Sequence, residues 1–337
     1  MIRCLPRPFF HARQCAVIAL LALVIAGCTP SFRPAGPPID APRLTDTAAI
    51  TADGTRLPLR QWLPPNDQEP EAIVLALHGF NDYSRAFEDP APVLAAHGLT
   101  VYAYDQRGFG ETGIAGRWAG TETMVNDMRA VANLLQARHP DLPLVLLGES
   151  MGGAVLLAAA REGILPGDRI ILVAPAVRGR VTMNPVYRAA LWVSAHLMPW
   201  AEATGRGLGI RASDNRDAII KLRDDPLVIK GSRVDTVWGL VNLMDDALAG
   251  AEELSQDVLT LYGTHDMLIP EDATALLAHR LGPDSRWAVY DTGWHMLLRD
   301  NGASVVLDDI ASWISSPGTP LPSGAEQRAS EYFALRP

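Results

Sequence analysis

The sequence predicts an α/β protein, with a mostly parallel central sheet flanked by helices and a helical cap insertion. Two observations carry that expectation. From residue 72 onward, short apolar runs bounded by turn residues alternate with longer helical patterns, and strand, helix, strand repeated in this way makes parallel pairs buried on both faces. The alternation lapses between residues 176 and about 250, where helical patterns follow one another without a convincing strand. An insertion of that length belongs over the carboxyl edge of the sheet, where open α/β sheets bind ligands.

The N-terminus differs in composition from everything after it. Residues 1–14 carry Arg3, Arg7 and Arg13 with no acid, and residues 15–27 form the apolar run CAVIALLALVIAG. A helix needs roughly 20 apolar residues to span a bilayer, so this run reads as the core of a secretory signal peptide over residues 1–27. It ends in Ile25-Ala26-Gly27-Cys28, which resembles the lipobox of bacterial lipoprotein precursors. The resemblance implies cleavage before Cys28, lipidation of that cysteine and a lipid-anchored protein of the bacterial cell envelope. An ordinary signal peptide ending near a cysteine is the plainer alternative. Cys4, Cys15 and Cys28 are the only cysteines, so a chain starting at Cys28 holds no disulfide. Its sole thiol, at the first position, fits a thioether-linked lipid better than a stray cysteine. Cleavage removes three positive charges from a chain whose net charge is already −9. Attachment to the membrane then rests on the acyl chains, at about 0.8 kcal/mol per buried methylene. Thr29, in place of an aspartate after the lipidated position, points by the same resemblance to the outer membrane.

Residues 28–44 hold prolines at 30, 34, 37, 38 and 42 and read as a semi-extended tether. At roughly 3 Å per residue, such a tether holds a domain up to about 50 Å from the lipid. The domain itself is placed at 45–315. Runs at 46–51 and 56–62 flank Asp53-Gly54, a hairpin signal. Runs at 72–79, 100–105, 142–149, 169–175, 258–263 and 286–291 read as buried strands, with helices such as 121–139 and 270–281 between most of them. The cap, about 176–250, contains the helix candidates NPVYRAALWVSAHLM and VDTVWGLVNLMDDALAG. Its Trp192, Met198, Trp200, Trp238 and Met244 either line an acyl tunnel or pack the cap against the body. Residues 316–337, rich in Pro, Ser and Gly, read as a peripheral or disordered C-terminal tail.

With 48% apolar and 20% charged residues, the chain can bury a substantial core. A net charge of −9, a pI near 5.4 and the lack of a Lys/Arg cluster argue against nucleic acid as a partner. Neither H-E-x-x-H nor C-x-x-C occurs, so no metal is expected. Gly108-Phe109-Gly110-Glu111-Thr112-Gly113 matches G-x-G-x-x-G after a strand, but Gly116 and Gly120 argue against a long helix starting there. No dinucleotide or other cofactor is expected.

The chemistry-bearing stretch is LLGESMGGAVLL at 146–157. Gly148-Glu149-Ser150-Met151-Gly152 is G-x-S-x-G, a match common enough by chance to be only suggestive alone. Here it follows a buried strand and precedes an Ala/Leu-rich helix, the strand-turn-helix of a nucleophile elbow. A serine hydroxyl needs a base to take its proton and an acid to orient that base. With the order Ser, acid, His, the histidines eligible by position are His196, His265, His279 and His295. His295 lies in the loop after the last strand, where the base belongs, and Asp266 follows the preceding strand and is the acid chosen. The plainer alternative makes Asp266 and His295 a polar loop pair. Two backbone N–H groups are needed for an oxyanion; they are assigned to Phe80 and Met151, with His78 read as a hydrogen-bonded turn residue.

These pieces resemble the α/β-hydrolase superfamily, and within it the monoacylglycerol lipase and lysophospholipase group. The matching segments are LHGF at 77–80, YDQRGFGET at 104–112, GESMGG at 148–153, DDPLV at 224–228, GTHDMLIP at 263–270 and GWHMLL at 293–298. The resemblance implies a serine hydrolase of carboxylic esters acting on monoacylglycerol-like or lysophospholipid-like substrates. This chain lacks the H-G-G-G loop of many lipases, and Phe80 narrows the expected acyl entrance. A prolyl aminopeptidase-like enzyme shares the machinery, although its elbow usually carries Trp where this chain has Met151. An acyltransferase, or a catalytically silent lipoprotein that binds lipid or an envelope partner, also stays open.

Overall fold

The computed structural model describes residues 29–205, 207 and 209–334; the expected signal peptide and Cys28 lie outside the described residues. Strands β1 (Arg43–Leu44), β2 (Ala48–Ile50) and β3 (Arg56–Trp62) form an antiparallel ladder at one edge of the sheet. The Asp53-Gly54 turn sets up β3, with Gly54 at φ 78° and Thr51 N accepted by the Thr55 carbonyl at 3.0 Å. Four strands follow, β4 (Ala72–Leu77), β5 (Leu99–Tyr104), β6 (Leu144–Glu149) and β7 (Arg169–Val173). A separate antiparallel pair, β8 (Glu202–Ala203) and β9 (Ser232–Arg233), precedes β10 (Asp257–Gly263) and β11 (Arg286–Tyr290). The nine-stranded sheet runs β1-β2-β3-β5-β4-β6-β7-β10-β11, and every pair from β5 to β11 is parallel.

The central strands are apolar along their whole length because both faces are covered. Alternate side chains of β4 serve different cores: Ile73, Leu75 and Leu77 point to one, Ala72, Val74 and Ala76 to the other. The first core is closed by α2 (Thr121–Arg138), α3 (Met151–Ala160) and, further along the chain, a helix at 271–281; α1 (Pro90–Ala96) and a helix at 303–315 close the second. Every residue of α3 is buried. A helix apolar all round is stable only when enclosed, and α3 is enclosed by the sheet and by the last cap helix.

The cap between β7 and β10 comprises α4 (Pro185–Leu197), α5 (Arg216–Asp224), α6 (Val234–Gly250) and the β8/β9 pair. Asn184 and Asn215 cap α4 and α5, each accepting from the backbone two residues on, and Pro185 opens α4. The helix patterns at 184–198 and 234–250 foretell α4 and α6; α5 and the two-residue strands are additions to that expectation. Only Ala195 of α4 is buried. Trp192, Met198 and Trp200 are 53%, 51% and 57% exposed, so they neither line a tunnel nor pack the cap down. Trp238 does pack, beneath the Arg180 guanidinium 4.3 Å from its ring, and Met244 lies against the first core.

The remaining helices are α7 (Glu271–Leu281), α8 (Ala303–Ser315) and α9 (Ala325–Ala334). The last corrects the expectation of a loose tail after residue 316. Ala325 and Ala329 of α9 are buried, Phe333 meets Trp287 of β11 at 5.0 Å, and Arg286 pairs with Glu326. Asp309 of α8 fixes the approach, accepting from Ser323 N at 3.0 Å and Tyr290 Oη at 2.8 Å.

The proline-rich segment before β1 is likewise docked rather than free. Phe32 packs against the first core, Arg33 N donates to Trp118 O at 2.7 Å, Ala35 N to Thr123 Oγ1 at 3.2 Å and Ile39 N to Ala52 O at 2.7 Å. Prolines suit such a strap because it forms no ladder of its own, and each bond to the body uses a non-proline N–H. The 50 Å tether expected at 28–44 is therefore corrected from Phe32 onward.

Candidate active site

Ser150 stands between β6 and α3 with φ 52° and ψ −113°, a conformation that residues with a Cβ rarely adopt. Its neighbours hold it there. Ser150 N donates to Val173 O at 2.9 Å, while Ser150 O accepts from Ala154 N at 3.1 Å and Ala176 N at 2.9 Å. A Cβ at Gly152 would collide with the Leu77 carbonyl, and one at Gly148 with the backbone at Gly152 and Gly153. Strand, turn and helix are thus packed too closely for any side chain at these positions, and the serine is left projecting from the carboxyl edge of the sheet.

Loops after β10 and β11 bring the two other expected side chains to it. His295 Nε2 lies 2.9 Å from Ser150 Oγ, and His295 Nδ1 lies 2.7 Å from Asp266 Oδ2. The other carboxylate oxygen, Oδ1, accepts from Leu268 N at 2.8 Å and Ile269 N at 2.9 Å, which fixes the plane of the acid. All three residues are buried. Pairing Nδ1–H with the carboxylate leaves the Nε2 lone pair for the serine proton. Burial opposes a charged imidazole, but the charge and hydrogen bond of Asp266, with Glu149 adding to them, outweigh it and raise His295 above its ordinary value.

Met151 is the first residue of α3, and Phe80 follows the glycine whose backbone lies against the serine: a Cβ on Gly79 would stand 3.4 Å from Ser150 Cβ. Among the described residues, neither the Phe80 nor the Met151 N–H donates to a protein acceptor. The Phe80 ring turns toward Phe109 and Trp118, at 5.7 and 6.4 Å. His78 is enclosed, with Nδ1 2.8 Å from Gly79 O and Nε2 accepting from Gln106 N at 3.0 Å; burial lowers its pKa. It holds the turn as a neutral ring.

The other eligible histidines stand elsewhere. His196 stacks on Trp192 in the cap, His265 is exposed beside Trp294, and His279 lies on α7. The G-x-G-x-x-G segment forms turns, with Gly108, Gly110 and Gly113 at positive φ and no helix before Thr121. Asp105 there accepts from Ser84 N at 3.0 Å and Glu111 N at 2.8 Å. Arg107 is buried between Asp53 and Asp127, both at 2.8 Å. Among the described residues, no cluster of three or more His, Cys, Asp or Glu is placed to hold a metal.

Two groups around the site were not singled out from the sequence. Arg299 Nη1 bonds Asp82 at 2.7 Å and its Nη2 bonds Glu149 at 3.0 Å, behind the serine. Asp300 accepts from Trp294 N at 2.7 Å and from the cap residue Ser213 Oγ at 2.5 Å; burial pushes its carboxyl up to about 6. Further bonds, Met296 N to Ala212 O at 3.0 Å and Asn215 Nδ2 to Arg299 O at 2.8 Å, stitch the cap to the histidine loop. The available signal was positional: Glu149 adjoins the serine, and Arg299 and Asp300 follow His295 on the same loop.

The sheet order, the strained serine between strand and helix, and the helical insertion define an α/β-hydrolase fold. The chain belongs to the Hydrolase_4 family, described as serine aminopeptidase, S33, whose model matches residues 68–302. It is similar to a monoacylglycerol lipase of Mycolicibacterium smegmatis, 29% identical over 270 residues that cover 78% of this chain and 94% of that protein. Human monoglyceride lipase is 27% identical over 273 residues, covering 79% of this chain and 89% of its own. Among solved structures, a soluble variant of monoglyceride lipase from Saccharomyces cerevisiae superposes with a TM-score of 0.68 at 18% identity, covering 86% of this chain and 99% of that one. A Paleococcus ferrophilus monoacylglycerol lipase does so with a TM-score of 0.63 at 21% identity, over 77% of this chain and 98% of the other. At these identities the superpositions speak to the fold.

Proposed function

We propose that this protein hydrolyses carboxylic esters of monoacylglycerol or lysophospholipid type through a Ser150-His295-Asp266 triad and an acyl-enzyme. The observation that carries this reading is the continuous hydrogen-bonded line from Asp266 Oδ2 through His295 to Ser150 Oγ, at 2.7 and 2.9 Å. Ser150 Oγ attacks the acyl carbonyl while His295 Nε2 takes its proton. The resulting oxyanion lies between the Phe80 and Met151 N–H groups, which are free to receive it. The imidazolium, stabilised by Asp266, then protonates the departing alcohol. Water attacks the acyl-enzyme by the same route in reverse, giving its proton to His295 and restoring the serine.

Lipid esters are favoured over small polar ones by two observations. Both sequence relatives above are named for monoacylglycerol or monoglyceride lipase activity. Apolar side chains of the cap, including Val186, Tyr187, Trp192 and Met198, face solvent, an arrangement suited to an acyl substrate arriving from an aggregate or membrane. We propose further that Cys28 is lipidated and anchors the protein in the cell envelope, at the outer membrane, as the Ile25-Ala26-Gly27-Cys28 sequence implies.

The test is an activity profile of the detergent-solubilised full chain on p-nitrophenyl esters of graded length, monoacylglycerols and lysophospholipids, beside Ser150→Ala. Serine-dependent turnover that peaks at medium or long acyl chains is expected; an enzyme that cleaves only short esters would overturn the lipid assignment. A second reading, aminopeptidase activity, is favoured by the family's description. Turnover of an aminoacyl naphthylamide exceeding that of every ester would establish it. Radiolabelled palmitate incorporated by the wild type and not by Cys28→Ala tests the anchor, and equal labelling of both would remove it.

A further inference from the structure

Three charged side chains that the proposed reaction does not use lie behind Ser150. Arg299 reaches Asp82 with Nη1 and Glu149 with Nη2, and the side chains of Arg299, Asp82 and Glu149 are only 11%, 9% and 3% exposed. They come from three separate stretches of the chain, the end of β6 and the loops after β4 and β11. Asp82 lies two residues past Phe80, Glu149 immediately precedes Ser150, and Arg299 lies four residues past His295. One guanidinium therefore joins the segment carrying an oxyanion donor, the segment carrying the nucleophile and the segment carrying the base.

Stability is a poor explanation for this cluster. Removing three ions from water costs several kcal/mol each, and buried ion triads are often matched by apolar residues of similar volume. This one is also incompletely satisfied, since Glu149 Oε1 and Arg299 Nε have no hydrogen-bond partner among the described residues, and each such orphan costs on the order of 1–3 kcal/mol. What an apolar cluster lacks is direction. The planar fork of an arginine fixes two carboxylates at set angles from one loop, which a lysine ammonium does not do.

We propose that Arg299 is a positioning residue for hydrolysis, holding the Phe80, Ser150 and His295 loops in register through Asp82 and Glu149. The inference rests on the triad reading. It has an electrostatic corollary, because the charged groups facing His295 are Asp266 from the loop after β10, Glu149 from the end of β6 and Arg299 from its own loop, with Asp82 behind Arg299. Glu149 favours the imidazolium and Arg299 opposes it. Their effects are opposite in sign, whereas a merely structural loss would carry no sign.

The experiment measures kcat/KM against pH for a p-nitrophenyl ester, with the full chain in detergent, for the wild type and for Arg299→Met, Arg299→Lys, Glu149→Gln and the Arg299→Met/Glu149→Gln pair. Arg299→Met is expected to lower kcat by about 10- to 100-fold, the range for a displaced catalytic geometry, with KM changed less than twofold. Arg299→Lys should recover part of it. The acid limb should move to higher pH in Arg299→Met and to lower pH in Glu149→Gln, and return toward the wild-type position in the pair. Limbs that stay fixed, or that move the same way in both single variants, overturn the proposal. Should Arg299→Met fail to fold, the direction of the Glu149→Gln limb and the kcat of Arg299→Lys decide. A fluorophosphonate that labels wild-type Ser150 keeps the triad reading standing whatever these limbs do; no labelling would remove the triad reading instead.

Discussion

His295 Nε2 stands 2.9 Å from Ser150 Oγ across 145 residues of sequence, and nothing local to either residue explains the contact. It is produced by the sheet. Ser150 follows β6, Asp266 follows β10 and His295 follows β11, and the parallel order β6-β7-β10-β11 lays their carboxyl ends side by side.

Ser150→Ala is expected to abolish ester hydrolysis and fluorophosphonate labelling, lowering kcat by at least about 10⁴-fold, as loss of a triad nucleophile does elsewhere. Alanine can take the same strained backbone, and only one hydrogen bond is lost, so stability should change by about 1 kcal/mol or less. Turnover by the purified variant above one-hundredth of the wild-type rate would remove Ser150 from the mechanism.

Protonated His295 cannot accept the serine proton. Because Asp266 and Glu149 outweigh burial and raise its pKa above 6.5, activity is expected to fall on acidification with its midpoint above that value. Asp266→Asn should lower kcat by about 10⁴-fold, since the imidazole then loses both its orienting partner and its charge stabilisation. A wild-type pH–rate profile with its acid midpoint well below 6.5 would contradict the assigned electrostatics.

A methyl group at Gly152 meets backbone, the carbonyl of Leu77, which cannot swing aside as a flexible side chain can. Gly152→Ala is therefore expected to destabilise the fold by about 3 kcal/mol or more, in the range of severe overpacking, and to remove activity with it. Urea unfolding that leaves the midpoint unchanged would show that the elbow has slack there.

Among the described residues, Arg107 is the one cation bonded to both Asp53 and Asp127, joining the hairpin to α2. Arg107→Met should cost about 3–5 kcal/mol, because it leaves buried carboxylates unpaired. Burial already raises Asp127 despite its arginine, and a raised carboxylate loses stability as pH climbs above the ordinary 3.8. The variant should accordingly be less impaired at pH 5 than at pH 8 in denaturant titrations; equal loss at both would assign the effect to packing.

The strands and the serine turn were legible because their signals are local. Runs such as AIVLAL and LVLLG are apolar at every position, which only a strand covered on both faces requires, and the serine sits at their junction with an Ala/Leu helix. The order of Asp266 and His295 along the chain placed them on neighbouring strand ends. Other features were set by partners distant in sequence. Helix α5 reads RDAIIKLRD and buries only Ala218, so it carries almost no core-facing stripe. Helix α9 does carry one, Ala325, Ala329, Tyr332 and Phe333 at helical spacing, but it is preceded by turn residues that outweighed it. Arg299 and Glu149 did not stand out as a pair because burial of an ion pair leaves no periodic trace.

The docked segment from Phe32 to β1 changes what a lipid at Cys28 would do. With the chain pinned at Phe32 and Arg33, only Thr29, Pro30 and Ser31 separate the anchor from the body. At about 3.3–3.6 Å per residue, that leash reaches little more than about 14 Å. With Cys28 lipidated as proposed, a domain on so short a leash would work within the headgroup zone and sample the two-dimensional population of esters around it. Its rate would then follow the mole fraction of ester in its own bilayer, and diluting the surface with inert lipid would slow it even at constant bulk substrate.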